Sequence, residues 1–232
     1  MTRGPRLLVT RAADDCVAWA DALRALGAEP VAFPCIEVEP VPGAREALRA
    51  ALPDATWVIA TSRRGVDALV GLEVPSQAKV AVVGPATAER ALEVLGRVDL
   101  VAPEATAASL AGALTTLLSA TDRLVAPLSS RAGDALDTLP GLQRIDAYRT
   151  VAAAPASPPL DLTPYDLDHA LLASPSAAEG LAHRALASSI PGVLSIGPST
   201  TAAAEALGLS VVGEARTRDL PGLLAARPET RP

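Results

Sequence analysis

Hydroxyl groups recur at the ends of apolar runs in this chain: Thr10 before Arg11, Thr61-Ser62-Arg63, Thr87, Ser129-Ser130-Arg131, Ser174 with Ser176, and Thr200. In an open parallel sheet, ligands bind outside the carboxyl ends of the strands. A helix that starts there adds unpaired N–H groups and a positive dipole end, which suit carboxylates and phosphates. Ser and Thr are also common helix caps, and Pro85 and Pro198 fit a first helical turn. Capping and ligand contact therefore both stay open for each hydroxyl. As a set facing one cleft, they suggest an anionic ligand with several acidic groups.

Tyr148 stands out because the chain has two tyrosines and one phenylalanine. It ends an apolar run in Ala147-Tyr148-Arg149-Thr150, and its phenol is a weak acid if it faces a cleft. A buried core tyrosine is the competing reading. Other catalytic equipment is missing: there is no G-x-G-x-x-G, P-loop, H-E-x-x-H or G-x-S-x-G. The histidines, His169 and His183, fall in an expected strand and an expected helix, where a satisfied structural role is the stronger account. Cys16 and Cys35 lack ligand spacing and read as buried small residues rather than a disulfide or a metal pair. No metal and no cofactor is expected.

The elements that must hold these groups alternate along the chain. Strands are expected over 6–10, 30–33, 56–60, 79–83, 98–101, 123–126, 144–148, 169–173, 193–196 and 210–212. Between the first two, Cys16, Trp19, Ala20, Leu23 and Leu26 recur at three- and four-residue spacing, an amphipathic helical stripe that Gly27 stops. Near-continuous apolar strands alternating with helices mean an α/β fold with parallel sheets covered on both faces.

The chain also repeats itself. Thr61-Ser62 and Ala173-Ser174 each open a helix after a strand. Gly84-Pro85-Ala86-Thr87 and Gly197-Pro198-Ser199-Thr200 follow 22 and 23 residues after Ser62 and Ser174. Arg6-Leu7-Leu8-Val9 is echoed by Arg123-Leu124-Val125, so the sequence reads as two similar halves divided near Asp122. Two Pro-punctuated extended stretches, 34–42 and 151–164, argue for a different division in space. They suggest a discontinuous first domain, 1–36 with 150–232, and a second domain, 37–149. The end of the chain, 225–232, reads as a frayed tail.

Bulk properties narrow the class. Of 232 residues, 50% are hydrophobic but only 2% aromatic, so the cores must be built from Leu, Val, Ile and Ala. A net charge of −6 argues against broad attraction to nucleic acid or to an anionic membrane. The opening apolar run, Leu7-Leu8-Val9, is far shorter than a membrane span or a signal core. A cytoplasmic protein is expected.

Taken together, these motifs resemble the uroporphyrinogen-III synthase family. The similarity runs through Leu8-Val9-Thr10-Arg11, Gly27, Pro34, Trp57 to Ser62 with Gly65-Val66, and Val82 to Ala88. It continues through Ala147-Tyr148-Arg149-Thr150, Ala173 to Ala177, Ser195 to Thr200, and Gly208-Leu209. The chain departs from the pattern at Ala60, where an aromatic is frequent, at Arg63-Arg64, which replaces a small pair, and at Leu128, where a polar residue often follows the strand.

The resemblance implies two flavodoxin-like parallel-sheet domains, a two-stranded β connector and an active site in the interdomain cleft. It implies a cofactor-free, monomeric enzyme that closes hydroxymethylbilane to uroporphyrinogen III and inverts ring D through a spiro intermediate. Tyr148 would be the proton donor; Thr10, Arg11, Ser62, Arg63, Thr87, Ser129, Ser174, Ser176 and Thr200 would bind the substrate's carboxylates. A transient contact with hydroxymethylbilane synthase is the one protein partner it suggests. The alternative is a non-catalytic two-domain binding or regulatory protein for a tetrapyrrole or another polycarboxylate.

Overall fold

The computed structural model describes residues 3–228 of the chain. In chain order the elements are β1 (Arg6–Val9), α1 (Ala13–Ala25), β2 (Glu29–Ala32), β3 (Ile36–Pro40), α2 (Ala44–Ala51), β4 (Trp57–Ala60) and α3 (Arg63–Asp67). Next come β5 (Lys79–Val82), α4 (Pro85–Leu95), β6 (Leu100–Val101), α5 (Ala107–Thr115), β7 (Leu124–Ser129) and β8 (Leu142–Ala152). The last are β9 (His169–Leu172), α6 (Pro175–Arg184), β10 (Val193–Ser195), α7 (Pro198–Ala206), β11 (Val211–Glu214) and α8 (Leu220–Ala225). Of the tail expected over 225–232, Ala225 closes α8, and Glu229 to Pro232 lie outside the described residues.

The chain folds into two compact units. One takes the residues up to Val38 and those from Thr150 onward; the other is Glu39–Arg149. The chain passes from the first to the second within β3 and returns within β8. The segment read as a Pro-punctuated connector, 34–42, therefore holds a strand, β3, which lies beside β8 at the edge of a sheet. The strand expected over 144–148 is longer at both ends, and the one expected over 123–126 runs on to Ser129. Leu128 consequently sits inside β7 and is buried, rather than following the strand.

The strand orders are β2-β1-β9-β10-β11 in one sheet and β3-β8-β7-β4-β5-β6 in the other. The first sheet has the doubly wound order 2-1-3-4-5. Apart from the added β3, the second has the same arrangement circularly permuted, with β7 and β8 in places 1 and 2 although they come last in its chain order. Strands β1 and β7 are thus equivalent, as are β9 and β4. The sequence halves divided near Asp122 are not the spatial units. Each half gives its first two strands of the common order to one sheet and its last three to the other.

Side chains alternate across the first sheet as a buried parallel strand requires. Leu7 and Val9 of β1, with Leu171 and Leu194, pack with Cys16 and Leu23 of α1 and Leu223 of α8. Leu8, Ala170, Leu172 and Val193 face Ala177, Ala178 and Leu181 of α6 and Ala204 of α7. The α1 stripe differs from expectation at Leu26, which lies past the helix and is exposed, while Gly27 takes the left-handed backbone that ends it.

In the second sheet, Trp57, Ile59, Leu124, Ala126 and Leu128 share a core with Leu110 and Leu114 of α5. Val58, Val125 and Ile145 share another with Leu48 of α2, and Tyr148 packs against it. No helix joins β7 to β8. Instead Leu136 and Leu139 plug that loop into the core, and Arg144 donates to the carbonyls of Ala132 and Gly133 and to Asp137. Truncating one of the fully buried leucines here would cost about 2–5 kcal/mol.

Candidate active site

In a 2-1-3-4-5 sheet the chain winds away in opposite directions from strands 1 and 3, and their carboxyl ends border the natural ligand crevice. In the second unit those strands are β7 and β4. Strand β4 delivers Ser62, and β7 ends on Ser129. A register shift between Leu128 and Ser129 sets Ser129 opposite Tyr148 of β8, and the Ser130 N–H bonds to the Tyr148 carbonyl at 2.9 Å. The extra residue, Ala147, lies on β8 and shifts its register against β7.

Ser62 and Tyr148 meet directly: their side-chain oxygens are 2.7 Å apart. Ser62 also caps α3, accepting the Gly65 N–H at 3.1 Å. Gly65 allows α3 to press on β7, since a Cβ there would lie 2.6 Å from the Pro127 carbonyl oxygen. Next to Tyr148, Arg149 donates from Nε and Nη to one carboxylate oxygen of Glu39, at 2.9 and 2.7 Å. Sequence reasoning gave Gly65 no role at the site and did not point to Glu39. The Ser-x-x-Gly spacing was a signal for Gly65, but Glu39 is found only once β3 is known to join the sheet.

The other expected residues of this unit fall into place less directly. Arg63 is the first, exposed residue of α3. Ser129 Oγ accepts the Arg131 N–H at 3.3 Å, closing the turn after β7. Thr87 lies within the first turn of α4, buried, and not at a strand end; Gly84 holds the cap position.

The first unit repeats the scheme at the ends of β1 and β9. Ser174 caps α6, accepting the Ala177 N–H at 3.2 Å, as Ser62 caps α3. Ser176 is buried in the first turn of α6, and Thr200, buried in the first turn of α7, matches Thr87 with Gly197 as cap. Thr10 is fully buried and donates to the Leu171 carbonyl at 2.6 Å, so its hydrogen ties β1 to β9. The Arg11 guanidinium stacks 4.7 Å from the Trp19 ring centroid and pairs with Asp15 at 3.2 Å.

The remaining titratable groups are structural in setting. Cys16 and Cys35 are buried free thiols; burial pushes both up, Cys35 to about 12. His169 is satisfied only in part: its Nδ1 is buried without a hydrogen-bond partner among the described residues, while the imidazole has a hydrogen bond to the Gly192 backbone. Desolvation lowers its pKa below the usual imidazole value, and Arg227 adds to that while Gly192 and Asp168 oppose it. Among the described residues, no group of three or more His, Cys, Asp or Glu could hold a metal, and no helix is long and apolar enough to cross a membrane.

Comparison with known proteins gives a consistent result. A structure of mutant uroporphyrinogen III synthase from Thermus thermophilus shares 20% identity, with a TM-score of 0.51, covering 96% of this chain and 96% of that one. Uroporphyrinogen-III synthetase from Helicobacter pylori 26695 shares 13% identity, with a TM-score of 0.60, covering 95% and 97%. These likenesses speak to the fold.

In sequence, the porphyrin biosynthesis protein HemD of Ruminiclostridium josui is 34% identical over 111 residues, 44% of this chain but only 22% of that longer protein. The family model described as uroporphyrinogen-III synthase HemD matches residues 17–225. With nearly the whole chain covered by that match, the protein belongs to the uroporphyrinogen-III synthase family.

Proposed function

We propose that this chain converts hydroxymethylbilane to uroporphyrinogen III, losing water and inverting the last pyrrole ring. The observation that carries the reading is the Ser62–Tyr148 hydroxyl pair at the ligand crevice of the second unit. Family membership supplies the reaction. Tyr148 has the phenol that an acid needs, and a fixed partner that holds it.

The chemistry needs little more than an acid and a mould. The first ring's pyrrole nitrogen pushes electrons toward the hydroxymethyl carbon, and the C–O pair leaves on oxygen. That oxygen takes the Tyr148 proton and departs as water, leaving an electrophilic azafulvenium. The substituted α-carbon of the last ring attacks it to give a spiro intermediate, which fragments and recloses with the ring turned over. Restoring aromaticity to the closed ring releases one proton, which the Tyr148 phenolate takes back. The bilane closes unaided to the unturned isomer, so the protein's task is to hold one conformation and forbid another.

The substrate's acetates and propionates call for donors, and each unit presents a set. In the second these are Ser129, Arg63 and the first turn of α4 around Thr87; in the first, the starts of α6 and α7 at Ser174, Ser176 and Thr200, with Arg11 after β1. Thr10 supports this set from below, its hydroxyl being committed to Leu171. The reading extends to the two compact units as the enzyme's domains, and to a cytoplasmic monomer that meets hydroxymethylbilane synthase only transiently.

The test generates hydroxymethylbilane in situ with a hydroxymethylbilane synthase, adds this protein and separates the oxidised isomers by chromatography. A change from mainly type I to mainly type III is the expected result. Unchanged type I product from folded protein would overturn the reading and favour a binding protein for tetrapyrroles.

A further inference from the structure

We infer that Ser62 is a positioning residue for Tyr148 rather than a carboxylate ligand: it aims the phenol proton away from itself and then carries the charge that proton leaves behind. The inference rests on the proposed cyclisation, and it follows from counting hydrogens. A serine hydroxyl has one hydrogen and two lone pairs. One lone pair of Ser62 accepts the Gly65 N–H at 3.1 Å, and the oxygen lies 2.7 Å from the Tyr148 oxygen, close enough for one O–H···O bond.

That bond can be donated by either oxygen, but only one direction serves an acid. If Tyr148 donates, its proton is spent on Ser62. If Ser62 donates, the phenol proton is free to leave toward a substrate oxygen. Once it has left, the phenolate can only accept, and Ser62 holds the hydrogen it needs. A bond that strengthens as charge develops lowers the barrier rather than merely tightening binding. Accepting the Gly65 N–H polarises the Ser62 hydroxyl and makes it a better donor.

The placement of Ser62 is built, not incidental. It comes from β4 and Tyr148 from β8, with β7 between them. Contact across β7 requires α3 to start close over that strand, which Gly65 permits by lacking a Cβ. Ser174, the equivalent cap in the first unit, serves its own helix by accepting the Ala177 N–H.

The experiment is a double-mutant cycle on turnover to the type III isomer, run on the whole chain. The variants are Ser62→Ala, Ser62→Asp and Ser62→Thr, each alone and with Tyr148→Phe. Aspartate keeps the helix cap but has no hydroxyl hydrogen to give; threonine keeps both.

Ser62→Ala and Ser62→Asp should each lower kcat roughly tenfold or more with KM changed by about twofold at most, the usual weight of a hydrogen bond to a charged group. Ser62→Thr should recover most of what Ser62→Ala loses. Beside Tyr148→Phe, Ser62→Ala should cost less than about twofold, because the group it acts through is gone. Equal losses in both backgrounds, or full turnover by Ser62→Asp, would overturn the inference and leave Ser62 a helix cap while the cyclisation reading stands. A parent protein that makes only type I isomer would overturn that reading first and this inference with it.

Discussion

The Ser62 and Tyr148 hydroxyls meet 2.7 Å apart across the end of β7, the strand that separates β4 from β8. Three features converge to allow this contact. The bulge between Leu128 and Ser129 re-registers β8, the cap bond to Gly65 fixes the Ser62 rotamer, and the bare Gly65 lets α3 sit down on Pro127. Each can be perturbed separately.

Tyr148→Phe removes one oxygen and leaves the ring packed against the core cluster that includes Val125 and Ile145. If the phenol is the acid, kcat for type III product should fall on the order of a hundredfold while KM changes little. The variant should unfold close to the parent, because the ring contacts remain and Ser62 keeps its bond to Gly65. Unchanged turnover would remove Tyr148 from the reaction. A large rise in KM with unchanged kcat would make it a binding group instead.

Gly65→Ala tests the seat of α3. Alanine is the better helix former by about 1 kcal/mol. Its Cβ, however, would meet the Pro127 backbone oxygen at 2.6 Å, and a carbonyl inside a sheet cannot swing aside. Overpacking of this kind costs about 1–3 kcal/mol, so the clash should win. The expected result is a lower denaturant midpoint together with a loss of turnover as Ser62 is carried away from Tyr148. Stability equal to the parent, with full turnover, would show that the helix shifts without disturbing the pair.

Much of this site was legible in sequence, and the gaps have physical causes. Ser62 and Ser174 announced themselves because a hydroxyl after an apolar run is a helix cap, and caps obey local spacing rules. Tyr148 was visible through rarity. The exchange of strands between halves was harder: the repeat divides near Asp122, and only the Pro-rich stretches hinted that the units divide elsewhere. Residue pattern alone did not show strand β3, because Pro34, Pro40 and Pro42 read as a linker; a β connector was implied only by the family resemblance, and Pro is tolerated on an edge strand. Thr10 shows the other limit. Its type and place fitted a ligand contact, but only the fold reveals that Leu171 takes its hydrogen.

His169 should make the protein sensitive to mild acid. Desolvation holds its folded-state pKa below the unfolded value of 6.5, so the unfolded chain takes up the proton first as pH falls. Stability contributed by this group is present above about pH 6.5 and declines below it. Replacing it with glutamine, which stays neutral, should flatten the fall in denaturant midpoint between about pH 7 and about pH 5. An equally steep fall in His169→Gln would place the acid sensitivity elsewhere.

The buried thiols make the opposite prediction on the alkaline side. Burial raises the Cys35 pKa from 9.0 to about 12 in the folded chain, with Arg184 opposing the shift and Cys16 adding to it. The unfolded thiol ionises near its ordinary value, so above about pH 9 the unfolded state binds fewer protons than the folded one. Stability from this group is therefore complete below that pH and lost progressively as pH climbs toward 12. Because the thiolate is the nucleophile, Cys35 should also resist alkylation in native protein at mildly alkaline pH and react once denaturant unfolds it. Cys35→Ala isolates the effect: it should lessen the alkaline loss of stability, although the smaller side chain lowers stability at neutral pH. Rapid labelling of Cys35 in the native chain would mean that the segment after β2 opens far more readily than its packing against Ala178 and Leu181 implies.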